Sequence, residues 1–160
     1  MPEPKQMEGL GTPECVKIRF RIDKDEDGFP PIDIEPLSAD RLPNGHFQIC
    51  SSPFFVRGIA YGDIVSAVAT GDPGWFDFID VTAQSGRLAL CVIVFKDVVT
   101  IRRSLLASLR QSSFYFEDQA LSGLLLIAIS GFPGNEWDAL NAMLVEMLSA
   151  DQISFAELKL

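Results

Sequence analysis

Residues 88–95 read LALCVIVF and are apolar at every position. Because successive side chains of a strand point to opposite faces of the sheet, this stretch predicts a strand that is buried on both faces. Residues 124–130, LLLIAIS, have the same character. Strands of this kind belong in the middle of a sheet, with more polar strands at the edges. These two segments therefore decide the fold of the second half of the chain.

The segments around this pair predict a β-α-β-β-α-β order. The spacing of apolar residues predicts helices over 98–109 and from Asn135, its expected N-cap, to 148. Alternating residues predict further strands over 112–118 and 153–160. This order is typical of the ferredoxin-like arrangement. Its helices cover one sheet face only. We therefore expect the other face to be covered by the first half of the chain or by a homodimer contact with a second copy of the protein.

The first half of the chain is rich in strand signals. Residues 16–22, VKIRFRI, alternate apolar and charged side chains, as expected of a strand with one buried face. Residues 32–37 predict a short edge strand, because Pro36 lacks a backbone donor. Three more strands are predicted over residues 46–50, 62–69 and 75–83.

We therefore predict an α+β protein. Residues 14–84 form a β-rich module, a roll or partial barrel, packed on a C-terminal ferredoxin-like βαββαβ module over residues 85–160. Residues 1–13 hold three prolines and few apolar groups, and we interpret them as a disordered tail.

The charge balance excludes some classes of partner. The 160 residues carry 22 acidic and 13 basic side chains, a net charge of −9, which repels nucleic acid and anionic membrane surfaces. No apolar stretch reaches the roughly 20 residues that a spanning helix needs. Fourteen of the acids lie within residues 1–84, so we expect an electrostatic partner surface there.

The densest acidic segment follows the first strand. Residues 23–28, DKDEDG, match the start of a calcium-binding EF-hand loop, but the bidentate acid of that loop is displaced by one residue, and two prolines follow. We therefore interpret the segment as an acidic turn. The candidate partner-binding residues are Asp23, Asp25, Glu26, Asp27, Asp33 and Glu35, followed by Asp72, Asp77 and Asp80.

The cysteines and the histidine predict neither a metal site nor a catalytic thiol. Cys15, Cys50 and Cys91 form no C-x-x-C pair, and His46 is the only histidine. In an extended strand His46 and Cys50 lie too far apart for proton transfer. We interpret the cysteines as small hydrophobic residues, and we predict no cofactor. Unpaired thiols and the absence of a signal-like start predict a cytoplasmic protein.

Residues 53–65, PFFVRGIAYGDIV, form the most distinctive motif of the sequence. Together with KIRFRID at 17–23, DGFPP at 27–31 and Ser85-Gly86, they resemble an uncharacterised family of small bacterial proteins, a domain of unknown function. The resemblance covers residues 16–97 and identifies no catalytic residue. Arg57 and Asp63 of this motif either serve folding or form an exposed polar site.

The function expected from these features is binding without catalysis. Small acidic proteins of this kind are often encoded beside secreted toxins as immunity partners, so the leading hypothesis is an immunity protein that occludes a basic toxin. The alternative is a regulatory domain that senses a small molecule at a ferredoxin-like interface. An enzyme ranks third. A monomer and a homodimer both remain open.

Overall fold

The computed structural model describes residues 14–160, and the predicted tail over residues 1–13 lies outside them. The protein is mixed α+β, as predicted, with a closed five-stranded barrel followed by a four-stranded sheet and two helices. The barrel strands are β1 (Cys15–Arg21), β2 (Ile34–Arg41), β3 (Phe47–Ile49), β4 (Ile64–Ala69) and β5 (Trp75–Ala83).

The barrel forms because each of its strands has one apolar face. Alternate residues of β1 point inward, and Val16, Ile18 and Phe20 are buried. Neighbouring strands pair antiparallel from β1 to β5, and β5 then pairs in parallel with β1, Ile18 lying opposite Phe76. This last pairing closes the barrel, so the predicted roll or partial barrel is corrected to a complete one.

Strand β2 is longer than the sequence predicts, and it is not an edge strand. It pairs with β1 over Ile34–Asp40 and with β3 over Ala39–Arg41. Pro36 is tolerated because β3 extends only to the level of Ala39, so one side of β2 has no strand partner at the proline.

The C-terminal unit contains the remaining elements. They are β6 (Leu88–Val94), α1 (Val98–Arg110), β7 (Tyr115–Leu121), β8 (Leu124–Gly131), α2 (Asn135–Ser149) and β9 (Ile153–Lys159). The strand order is β7-β8-β6-β9, with every neighbouring pair antiparallel. The two apolar strands, β6 and β8, lie in the centre, as their sequences predict.

One face of this sheet packs against both helices. Leu90 and Val92 of β6 share a buried cluster with Leu105 of α1 and Leu144 of α2. Helix α2 begins one residue earlier than the sequence predicts, because Gly134 is its N-cap and Asn135 is its first residue. Among the described residues, no helix is both long and apolar enough to cross a lipid bilayer.

The opposite face of the sheet is covered by the N-terminal unit, as predicted. Ala89 and Cys91 of β6 form a buried cluster with Ala60, and Phe54 and Phe55 pack against it. These last three residues belong to the segment 50–63 between β3 and β4. The linking segment of the barrel therefore serves as the interface between the two units.

Candidate functional site

The acidic segment between β1 and β2 is an ordered turn. The Asp25 carboxylate accepts hydrogen bonds from the backbone N–H of Asp27 and of Phe29, both at 2.9 Å. The backbone N–H of Gly28 donates to the carbonyl of Asp25, and Gly28 adopts a φ of 78°, which glycine reaches without strain. Asp33 forms an ion pair with Lys24 at 2.8 Å. This geometry confirms the interpretation as an acidic turn.

The structure places most of the predicted partner-binding acids at the surface. Five of them are exposed on the segment between β1 and β2: Asp23, Asp25, Glu26, Asp27 and Asp33. Three lie on the β4–β5 hairpin, where Asp72 and Asp80 are exposed and Asp77 is half-buried. Asp77 is neutralised in part, because Arg19 Nε lies 2.8 Å from its Oδ1. This pairing lowers the pKa of Asp77 and raises that of Arg19.

Glu35 is the exception, and its prediction as a partner-binding residue is wrong. Its side chain is buried between the barrel and the segment 50–63. The carboxylate accepts three backbone N–H groups, from Phe54 at 2.6 Å, Phe55 at 3.0 Å and Val56 at 2.9 Å. Burial raises the pKa of Glu35 despite these donors. The residue holds the PFFV motif in place and is not available to a partner.

The two acidic segments meet at one cleft. A cavity of ≈ 530 Å³ opens where β1 and β5 diverge beyond their short parallel pairing. Asp23 and Asp77 both line it, and Phe20, Phe55 and Phe78 are among its apolar lining residues. Residues that are 54 positions apart in the sequence therefore border the same depression.

Basic side chains also line this cleft, which the sequence did not predict. Arg21 is exposed next to Asp23, and Arg57 reaches the cleft from the segment 50–63. The guanidinium of Arg57 donates to the backbone carbonyl of Glu157 at 3.2 Å. The cleft thus combines an apolar floor with charges of both signs, a composition that suits a peptide segment or an amphipathic small molecule.

A second cavity, of ≈ 300 Å³, adjoins the first. Asp23, Phe55 and Arg57 line both of them. Phe29 of the acidic turn and Ile93 of the C-terminal sheet are both among the lining residues of the second cavity. The acidic turn therefore bridges the barrel and the sheet on one side of the molecule.

Arg57 and Asp63 do not form a shared site. Asp63 is fully buried, and its carboxylate accepts the backbone N–H groups of Ala60 at 2.9 Å and Ser85 at 2.8 Å. The same carboxylate pairs with Lys159 Nζ at 2.7 Å. Because these three partners occupy the carboxylate, Asp63 serves folding and is not part of an exposed polar site.

His46 contacts a threonine, and burial raises the pKa of two of the cysteines. His46 Nδ1 lies 3.1 Å from Thr82 Oγ1. Cys91 is buried, as predicted, and burial raises its pKa to about 12. Burial also raises the pKa of Cys50, to about 11. Both thiols are therefore protonated at neutral pH and are poor nucleophiles. Cys15 is exposed and Cys50 is half-buried, so burial is confirmed for Cys91, the one cysteine for which it was predicted.

The fold and this surface define a class: a small acidic α+β protein in which a closed barrel covers one face of an antiparallel sheet. The chain belongs to the family named Domain of unknown function (DUF4265), which matches residues 35–155. This match confirms the resemblance to a family of unknown function.

A solved structure shares the fold. The chain is similar to a protein described as "Novel crystal structure of a hypothetical protein from Neisseria gonorrhoeae", with a TM-score of 0.67 and 21% sequence identity. The alignment covers 93% of this chain and 96% of the other. No curated protein matches the chain.

Proposed function

We propose that the protein is an immunity-type binding protein, which acts in the cytoplasm of a bacterium by occluding a basic toxin and carries out no reaction of its own. The observation that carries this proposal is the cleft shared by Asp23 and Asp77. It brings the acidic turn and the β4–β5 hairpin onto one surface, which Arg19, Arg21 and Arg57 also line.

The exposed carboxylates of this surface give it a role in association. Among the described residues, Asp23, Glu26, Asp27, Asp72 and Asp80 have no basic side chain within ion-pair distance. Carboxylates without an internal partner keep their full attraction for a basic protein, and such attraction mainly accelerates the encounter of the two proteins.

Aromatic side chains on the same segments supply candidate anchors. Phe29 on the acidic turn is 37% exposed, and Trp75 at the start of β5 is 38% exposed. Large aromatic residues dominate the binding energy of many protein interfaces, because they bury much apolar area at low entropic cost. We expect the acids to set the association rate and these rings to set the lifetime of the complex.

The buried acids favour binding over catalysis. Glu35 and Asp63 are the two buried carboxylates of the described chain, and backbone N–H groups or a lysine occupy both. A general acid or base needs a free position next to a substrate. We therefore assign these two groups to folding.

The decisive experiment concerns the gene neighbourhood and a pair of variants. We expect a toxin-type reading frame next to the gene, and we expect its product to be lethal alone and harmless when coexpressed with this protein. The test variant is Glu26→Lys with Asp27→Lys, which spares Asp25 because Asp25 holds the turn. The control variant is Asp138→Lys with Glu146→Lys, on α2.

The expected result is slower association for the test variant and a rate constant that depends less on salt concentration. The control pair changes the net charge equally but lies outside the proposed surface, so its association rate should stay close to that of the wild type. Equal rates for the two variants, or a neighbourhood without any toxin-type frame, would reject the proposal.

The alternative function is the sensing of a small molecule, and the cleft gives it a specific basis. Arg21 and Arg57 converge on an apolar floor, a combination that fits an anionic amphipathic ligand. The strand order β9-β6-β8-β7 and the β-α-β-β-α-β element order support the assignment of the C-terminal unit to the ferredoxin-like class.

A thermal-shift screen separates the two functions. A small ligand that binds only the folded state stabilises it by RT ln(1 + [L]/Kd), and a missing protein partner gives no such signal. Stabilisation by an aliphatic carboxylate or phosphate ester that disappears in Arg21→Gln would favour sensing. No shift across the screen, together with rescue from a toxin, would favour the immunity function.

A further inference from the structure

The outer surface of the barrel brings together three side chains that are distant in the sequence. Cys15 of β1, Asp40 of β2 and Cys50, which follows β3, place one sulfur or carboxylate oxygen each within 4.8 Å of one another. Their neighbours Val16, Ala39 and Ile49 are buried in the barrel core, so the three point to its exterior.

The backbone fixes this arrangement. Cys15 lies opposite Asp40 in the β1–β2 register. The backbone N–H of Cys50 donates to the carbonyl of Ser38 at 2.9 Å, so Cys50 flanks β2 on the other side. The two thiols therefore approach the same carboxylate from opposite sides of one strand.

We propose that Cys15, Asp40 and Cys50 form a binding site for Zn²⁺. Two thiolates and one carboxylate suit this ion, whereas Ca²⁺ and Mg²⁺ prefer oxygen donors alone. Zn–S bonds of about 2.3 Å at a tetrahedral angle place two sulfurs about 3.8 Å apart. The three donor atoms already lie within 4.8 Å of one another, close to that separation.

A disulfide between the two cysteines is the competing use, and the register of the strands opposes it. Cys15 and Cys50 are separated by β2, which amounts to two strand spacings, or about 9 Å between backbones. A disulfide needs Cα atoms about 4.4–6.8 Å apart. A metal ion bridges the wider gap, because each sulfur lies more than 2 Å from it.

Zinc at this position would connect β1, β2 and β3 on the outside of the barrel. The three protein ligands leave one position of a tetrahedral ion for water, since Cys15 is exposed to solvent. The site lies apart from the cleft that Asp23 and Asp77 border, so it is independent of the proposed partner surface.

The test uses untagged, reduced full-length protein titrated with Co²⁺, whose complexes with thiolates absorb strongly in the near ultraviolet. We expect one ion per chain and a thiolate-to-cobalt band in the wild type and in the control variant Cys91→Ala. The band should be lost in Cys15→Ser and in Cys50→Ser. Competition with Zn²⁺ should displace the cobalt, and Asp40→Asn should weaken zinc at least about tenfold.

Alkylation of the wild type provides a second measurement that needs no variant. Zn²⁺ should protect the exposed Cys15 from iodoacetamide in the folded protein, as read by peptide mass spectrometry. A cobalt band that persists in Cys15→Ser and Cys50→Ser, no thiolate band in the wild type, or equal alkylation with and without Zn²⁺ would overturn the site. So would a Cys15–Cys50 disulfide that forms readily in the folded protein.

Discussion

Lys159 Nζ lies 2.7 Å from Asp63 Oδ2 and ties the last strand of the C-terminal unit to the turn before β4 of the barrel. The Asp63 side chain is fully buried, and that of Lys159 is 10% exposed. The pair therefore forms an ionic link inside the interface between the two units.

Lys159→Met should destabilise the protein by about 3–5 kcal/mol, because it leaves the Asp63 carboxylate buried without its counterion. Urea denaturation followed by circular dichroism measures the change. Lys96→Met is the matched control, since Lys96 is exposed, and it should change stability by no more than about 0.5 kcal/mol. Adding Asp63→Asn to Lys159→Met should recover stability. A double variant less stable than Lys159→Met would contradict the buried-charge explanation.

Glu35→Gln should destabilise the protein by roughly 1–3 kcal/mol, because an amide has one acceptor oxygen for the three N–H groups that the carboxylate now accepts. Glu26→Gln, on the exposed turn, is the matched control. Chemical denaturation at neutral pH compares the two. Equal stability of both variants would show that the buried carboxylate does not hold the segment 50–63.

The stability difference between the wild type and Glu35→Gln should depend on pH. Folding raises the pKa of Glu35, so the folded state holds this proton more tightly than the unfolded chain does. The resulting contribution to stability is present below the unfolded pKa and is lost as the pH rises through the folded pKa. The stability of the wild type relative to Glu35→Gln should therefore fall as the pH rises from below 4.5 toward neutrality. A relative stability that grows over this range would mean that the three N–H donors outweigh burial.

Gly131→Ala should destabilise the C-terminal unit by about 1–3 kcal/mol, because the added methyl group would overlap the Phe114 ring. Phe114 packs edge-on against Trp137, with ring centroids 5.6 Å apart, so it has little freedom to move. Near-ultraviolet circular dichroism and thermal unfolding measure the effect. In a Phe114→Leu background the same alanine should cost much less, and an unchanged cost would place the strain elsewhere.

Tyr115 should remain protonated at a pH where a free tyrosine ionises. Burial and the nearby Glu117 raise its pKa to about 12, and its ring stacks on that of Tyr61 with centroids 4.2 Å apart. In Tyr61→Phe, Tyr115 is the only tyrosine left. Ultraviolet absorbance at pH 10 should then show little phenolate while circular dichroism reports a folded protein. Half-ionisation at that pH would contradict the burial of the phenol.

Local sequence pattern determined the strands and helices of this protein. Alternation in residues 16–22 predicts one buried face, and the apolar runs of β6 and β8 predict two. A short stretch of sequence is enough for such a prediction, because the apolar side chains themselves show which faces must be buried. The same reasoning predicted the inner strands of the sheet and the need for a cover on its second face. The exposed acids of the turn were predictable too, because charged side chains without an apolar neighbour stay in water.

Tertiary structure alone decided the closure of the barrel, the burial of Glu35 and the meeting of Cys15, Asp40 and Cys50. Closure depends on the pairing of Ile18 with Phe76, and no local periodicity encodes a contact between the first and last strands. Glu35 lies on the inward face of β2, in phase with Leu37 and Ala39, and three N–H groups from residues 54–56 compensate its burial. Such compensation comes from chain segments that approach each other only on folding. The local sequence thus determined which residues form strands, and the assembled barrel determined which of their side chains meet.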